Sequence, residues 1–268
     1  MLDRFRPKGR KDPPVLDFFC RHLVALCITY PRNGEDREHF AAYSGTLISI
    51  HDRVSLLTAG HILENLDEVR KSDQLTITSA VLADTFGSER ISDIPIPFDL
   101  TNAELFRIDD EAEGLDFGVI ALSPYYVRLL AKNGVVAIEE NNWIHQAEVR
   151  FDGYVMLGLP EEFTSETDTG NGMVTPTMFG VRCLDPPPDG TPITTYPRFV
   201  GQIDARTPIT SVVGMSGGPI FGFRFGDQTR YWVVALQSTW IRESRTVYGC
   251  SLPVLASLMT DWANQAAS

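Results

Sequence analysis

The chain reads as an all-β protein that ends in one helix, and three observations predict it. Short runs of apolar and β-branched residues recur along the 268 residues. They are separated by turns built from Gly, Pro, Asn and Asp, the punctuation of antiparallel strands. Only the last stretch, Pro253 to Gln265, changes period: Val254, Leu255, Leu258, Met259 and Trp262 fall at helical spacing. Many short strands with such connections form barrels or sandwiches.

Taken in order, residues 1–14 carry five basic side chains and three prolines with little to bury, which predicts a mobile arm. Leu16 to Tyr30 is dense in apolar residues, with a first strand nearest the turn at Pro31-Arg32-Asn33-Gly34. Tyr43 to Ile50 and Val54 to His61, joined by His51-Asp52-Arg53, form a hairpin that leaves His61 just past its second strand. A helical turn over Ile62 to Val69 and strands at Gln74 to Leu82, Ala103 to Ile108 and Leu115 to Leu122 come next. Asp116 interrupts the last of these, and a carboxylate there needs a hydrogen-bonding partner, because burying it bare costs several kcal/mol. Ser123 to Asn142 reads as a connector. Further strands are expected at Ala147 to Gly158, Met173 to Cys183, Arg198 to Ala205, Gly218 to Phe225, Tyr231 to Thr239 and Val247 to Ser251.

Composition narrows the function. With 35 Asp+Glu against 23 Lys+Arg the net charge is -12, which repels phosphate backbones and argues against nucleic acid as the partner. No apolar stretch is long enough to span a bilayer or to serve as a signal peptide, so no membrane is expected and the protein reads as cytoplasmic. Cys20, Cys27, Cys183 and Cys250 form no C-x-x-C pair and read as small buried hydrophobes. The acidic run Asp109, Asp110, Glu111 and Glu113 reads as a solvated loop rather than a calcium site.

Chemistry concentrates in Gly214-Met215-Ser216-Gly217-Gly218-Pro219, where glycines let the chain bend sharply around one hydroxyl and let another molecule approach the main chain. A serine hydroxyl is a poor nucleophile unless a base and an orienting acid stand beside it. Leu57-Thr58-Ala59-Gly60-His61 and Leu115-Asp116-Phe117-Gly118-Val119 supply both in marked settings. His22, His39, His51 and His145 lack such flanks and read as structural.

In order and in flanking residues these three stretches resemble the motifs of trypsin-like serine proteases of the chymotrypsin fold. Gly158-Leu159-Pro160 and Gln202-Ile203-Asp204-Ala205 lean toward bacterial stress-protease members rather than digestive enzymes. The resemblance implies two six-stranded antiparallel β-barrels, at 15–130 and 131–252, before a helix at 253–268. It implies a serine endopeptidase acting on protein or peptide substrates, with catalytic residues His61, Asp116 and Ser216 and an oxyanion hole from the N–H groups of Gly214 and Ser216. No metal or organic cofactor is required by this chemistry.

Two departures matter. Met215 stands where digestive members have an aspartate that pairs with a newly cut N-terminus, so activation by such a cut is not expected. Ile62 replaces the cysteine that secreted members carry after the histidine. The primary pocket would have Thr210 at its base and Ala235, Leu236 and Gln237 along its wall, with more from near Thr246. A neutral base favours an uncharged side chain at the cleavage position. The same fold would also serve a catalytically silent or partner-activated binding module of a stress or defence pathway, which leaves room for an activating partner protein.

Overall fold

Residues 14–31, 38–71, 76–143, 151–166 and 172–266 are described by the computed structural model. The basic arm before Pro14, the turn residues after Pro31 and His145 lie outside them. Strand β1 (Leu23–Pro31) is led in by helix α1 (Pro14–Cys20), and β2 (Glu38–Ile50) and β3 (Arg53–Thr58) make the expected hairpin. Helix α2 (Gly60–Lys71) comes next, then β4 (Ser79–Ala83), β5 (Ile96–Pro97), β6 (Leu105–Asp110) and β7 (Leu115–Ala121). These strands make one antiparallel sheet in the order β5-β4-β1-β2-β3-β7-β6.

Helix α3 (Pro124–Lys132) crosses to the second half, which holds β8 (Gly153–Gly158), the short pair β9 (Ser165–Glu166) and β10 (Gly172–Met173), and β11 (Thr177–Cys183). Then come β12 (Arg198–Ile203), β13 (Pro219–Arg224), β14 (Arg230–Ile241), β15 (Thr246–Ser251) and helix α4 (Leu252–Ala266). Six of these strands close into a barrel in the order β11-β12-β15-β14-β13-β8.

The two halves therefore differ in closure. The C-terminal barrel is the six-stranded one expected, whereas the N-terminal sheet has seven strands and its hydrogen bonding stays open between β5 and β6. The edge strand β5 is only two residues long, one of them Pro97, with Pro95 just before it. Proline brings no N–H to a ladder, so this edge has little with which to zip shut.

The halves share one core. Leu57 and Phe117 from the first sheet are buried together with Leu157, Phe221 and Leu236 of the barrel and Leu255 of α4. Helix α1 seals the seam, with the Phe19 ring 4.5 Å from Phe221 and 4.9 Å from Tyr231. It begins at Pro14, where a proline costs a helix nothing because the first N–H is unused. Three of the four cysteines are buried and Cys183 is half-buried, and none is in a disulfide. Among the described residues no helix is long and apolar enough to cross a membrane.

Candidate active site

His61, just past the end of β3, lies in the first turn of α2, which begins at Gly60, two residues before the expected helical turn. A helix start leaves N–H groups without partners, and Asp116 meets this one: its Oδ1 accepts the His61 N–H at 2.9 Å. The same carboxylate accepts from the His61 ring, Nδ1 to Oδ2 at 2.8 Å. One side chain thus caps the helix and orients the imidazole. Gly60 makes the approach possible, since a Cβ there would stand 2.4 Å from the Ile108 carbonyl oxygen.

Asp116 is the second residue of β7, and its side chain is 6% exposed against 35% for His61. Its third bond comes from the Ser238 hydroxyl, which donates to Oδ2 at 2.6 Å. The partner that a buried charge demands is thus a set of three donors.

Burial works to lower the His61 pKa, but the hydrogen bond and charge of Asp116, helped by Asp109 and Glu111, outweigh it and hold the value above the ordinary one. For Asp116, burial favours the neutral acid, yet the His61 ring and the Ser238 hydroxyl overcome it and keep the carboxyl below its usual range. Asp109, directly across the ladder from Asp116, is pushed up to about 6 by burial, by the Asp116 charge and by a hydrogen bond with Glu64.

The serine loop is held from two sides. Gly214 and Gly217 have φ of +86° and +84°, which residues with a Cβ rarely adopt. Thr58 donates its hydroxyl to the Ser44 carbonyl at 2.8 Å, and Ser44 donates its own hydroxyl to the Gly214 carbonyl at 2.9 Å. The Leu159 N–H completes the link at 2.9 Å on Ser44 Oγ. Met215 is wholly buried and packs against Gly158, where an aspartate would have no solvent.

Backbone donors in the loop divide clearly. Met215 N–H goes to Val212, Gly217 N–H to Gln237 and Gly218 N–H to Met215. Among the described residues the N–H groups of Gly214 and Ser216 have no protein acceptor. The Val213 carbonyl accepts from the Glu161 N–H at 2.8 Å, and because a trans peptide points its C=O and N–H in opposite directions, the Gly214 N–H is turned away from that contact.

Ser216 donates its hydroxyl to the Ser238 carbonyl at 3.1 Å, and among the described residues it makes no hydrogen bond to His61. Ser238 therefore touches both sides of the site, with its hydroxyl on Asp116 and its carbonyl on Ser216. Sequence reasoning missed it. The signal available was the switch from the apolar run 233–236 to Gln237-Ser238-Thr239 inside one strand.

The expected pocket residues sit differently. Ala235 and Leu236 are fully buried in the barrel and Gln237 is 1% exposed, so their side chains line the interior rather than a substrate cleft. The cause is core on both faces of β14: Val233 and Leu236 pack in the cluster shared with the first sheet, and Val234 and Ala235 in the cluster inside the barrel. The Gln237 backbone does border the loop, accepting from Gly217 at 2.8 Å and donating to Gly218 at 2.9 Å. Thr210 is exposed and gives its N–H, at 3.0 Å, and its hydroxyl to the Glu162 carboxylate. Thr246 is buried in β15.

The other histidines described are remote from this chemistry. His22 is buried, receives the Tyr231 hydroxyl and is pulled down to about 4, chiefly by burial. His51 is exposed in the β2–β3 turn, and His39 is buried in β2. Among the described residues no group of three or more His, Cys, Asp or Glu side chains could hold a metal ion.

No protein-family model and no curated protein matches the chain. Solved structures do. An inactivated protease paralogue of the scabies mite aligns over 92% of this chain and 96% of its own, at 15% identity and a TM-score of 0.55. The thermostable serine protease AL20 of an extremophilic microorganism aligns over 90% and 95%, at 14% identity and a TM-score of 0.50. At such identity the likeness is one of architecture, and this chain has the chymotrypsin fold.

Proposed function

We propose that the chain is a serine endopeptidase that cuts protein or peptide substrates through His61, Asp116 and Ser216. The observation that carries this reading is the donor count: of the five N–H groups from Gly214 to Gly218, the two without an acceptor among the described residues are those of Gly214 and Ser216. Two such donors beside one hydroxyl are what an oxyanion needs, each worth roughly 3 to 4 kcal/mol in the transition state.

In this mechanism the Ser216 oxygen bonds to the scissile carbonyl carbon, the carbonyl electron pair moves onto oxygen between the two N–H groups, and His61 Nε2 takes the hydroxyl proton. Collapse expels the amine, which leaves with that proton, and water repeats the sequence to release the acid. Asp116 holds Nδ1 protonated so that Nε2 is free to accept. The Ser216 hydroxyl must first turn from the Ser238 carbonyl toward His61.

That turned-away hydroxyl also favours a second reading, a module that is silent alone and switched on by a partner protein. A fluorophosphonate probe separates the two. The protease gains one phosphonyl group on Ser216, and Ser216→Ala takes none; an intact protein left unlabelled by excess probe sinks the first reading.

The setting we propose is intracellular and bacterial, supported by Met215 and Ile62 in place of the residues of secreted enzymes. The preference proposed at the cleavage position is an uncharged side chain. The support is the neutral Thr210; the Glu162 carboxylate that accepts from it stays ionised with Arg242 beside it, so a peptide-library profile dominated by Lys or Arg would overturn this preference.

The acidic limb of kcat/KM is set by the His61 environment. A base must be unprotonated, and Asp116 holds its pKa above the ordinary value of about 6.5, so activity falls as pH drops through a point above 6.5. A limb centred below 6 in a pH–rate profile would contradict the pairing.

A further inference from the structure

Arg198, the first residue of β12, has no part in the mechanism above, yet it stands one side chain away from it. Its Nη2 donates to Thr239 Oγ1 at 2.7 Å and reaches the Ser238 hydroxyl at 3.5 Å. The guanidinium carbon lies 5.1 Å from the Tyr248 ring centre. Nε is buried and has no partner among the described residues. In a chain with 35 carboxylates, Arg198 forms no ion pair among the described residues.

Arg198 lines a cavity of about 180 Å³ with Thr191, Thr194, Pro192, Pro197 and Tyr248. That is below the roughly 300 to 1,000 Å³ of small-molecule sites and suits a single side chain. The prolines bring no N–H. The threonines spend their hydroxyl protons on the carbonyls of Pro188 and Tyr196. The wall therefore offers an incoming group one strong donor, the guanidinium, and the Asp116 carboxylate, one hydroxyl further on behind Ser238, is already engaged by His61.

We propose that this cavity is a specificity pocket for a carboxylate side chain, Glu or Asp, of the substrate, at a position other than the cleavage position. With Nη2 on Thr239 and Nε covered, Nη1 is the donor left for a ligand; one charge-assisted bond from it suits a carboxylate, whereas a doubly charged phosphate would call for a second cation that the wall lacks. The link to substrate rests on the protease reading, since Ser238 holds both Asp116 and Ser216 while bordering Arg198.

The test uses full-length Ser216→Ala protein and hexapeptides with Glu walked through every position, each against its Gln counterpart, read by fluorescence polarisation. At one position Glu should bind about tenfold tighter than Gln, and Arg198→Gln should erase the difference while Arg198→Lys keeps part of it. Glu binding no better than Gln at every position overturns the pocket, as does a preference that survives Arg198→Gln. Fluorophosphonate labelling keeps the two readings apart. A labelled enzyme without the Glu preference loses the pocket alone, whereas an unlabelled protein with an Arg198-dependent preference keeps the pocket and loses the protease.

Discussion

Asp116→Asn should lower kcat by on the order of 10⁴-fold and leave KM within a few-fold. Three donors converge on this carboxylate: the His61 N–H on Oδ1, and the His61 ring and the Ser238 hydroxyl on Oδ2. An asparagine side chain offers one accepting oxygen and one donating nitrogen. With its oxygen kept on the His61 N–H, its NH₂ faces Nδ1, which can then only accept. The proton moves to Nε2, and the nitrogen that should draw the proton from Ser216 is occupied. Because the Asp116 charge and bond are also what raise the His61 pKa against burial, NMR titration of the variant should find that pKa below the wild-type value. A variant within tenfold of wild type in kcat would remove Asp116 from the mechanism, and an unmoved His61 titration would remove its electrostatic role.

The parts of the site legible in sequence were those fixed by local geometry. His61 could be placed because a strand must end and turn at Ala59-Gly60, and the serine loop because glycines mark positive φ. Asp116 could be placed because a charge breaks an apolar strand. Ser238, Arg198 and Glu162 were hidden because their roles come from contacts between segments far apart in the chain, which a strand pattern does not encode. β14 is covered on both faces as far as Leu236, so the residues that simple counting picked turn into core. Two helices were hidden for a related reason. Helix α1 lies in the apolar run ahead of the first strand, where Phe18 and Phe19 suit either element, and the choice is made by packing against Phe221 and Tyr231. Helix α3 is only nine residues long and buries only Leu130 fully, too short a run to stand out from a connector.

Gly217→Ala should destabilise the fold by about 2 to 5 kcal/mol, from roughly 1 to 2 for a left-handed φ and about 1 to 3 for overpacking. At φ +84° the new methyl would stand 2.4 Å from Thr58 Oγ1, 2.6 Å from the Ser44 carbonyl oxygen and 2.8 Å from the Ala59 nitrogen. Two of these three are backbone, so rotating a side chain does not relieve them. The loop or the β2–β3 hairpin has to move. That hairpin carries the chain into His61, and its Ser44 ties down the Gly214 carbonyl, so on the proposed mechanism relief of the clash would separate acid–base from nucleophile and loosen the oxyanion donors. Urea unfolding should therefore show a lower midpoint, and the folded fraction should label slowly with fluorophosphonate. Gly180→Ala, where a methyl meets nothing within 4 Å, is the control and should change either measurement little. Equal stability of the two variants would mean that the serine loop does not press on the first sheet, and the proposed approach of Ser216 to His61 would lose its structural support.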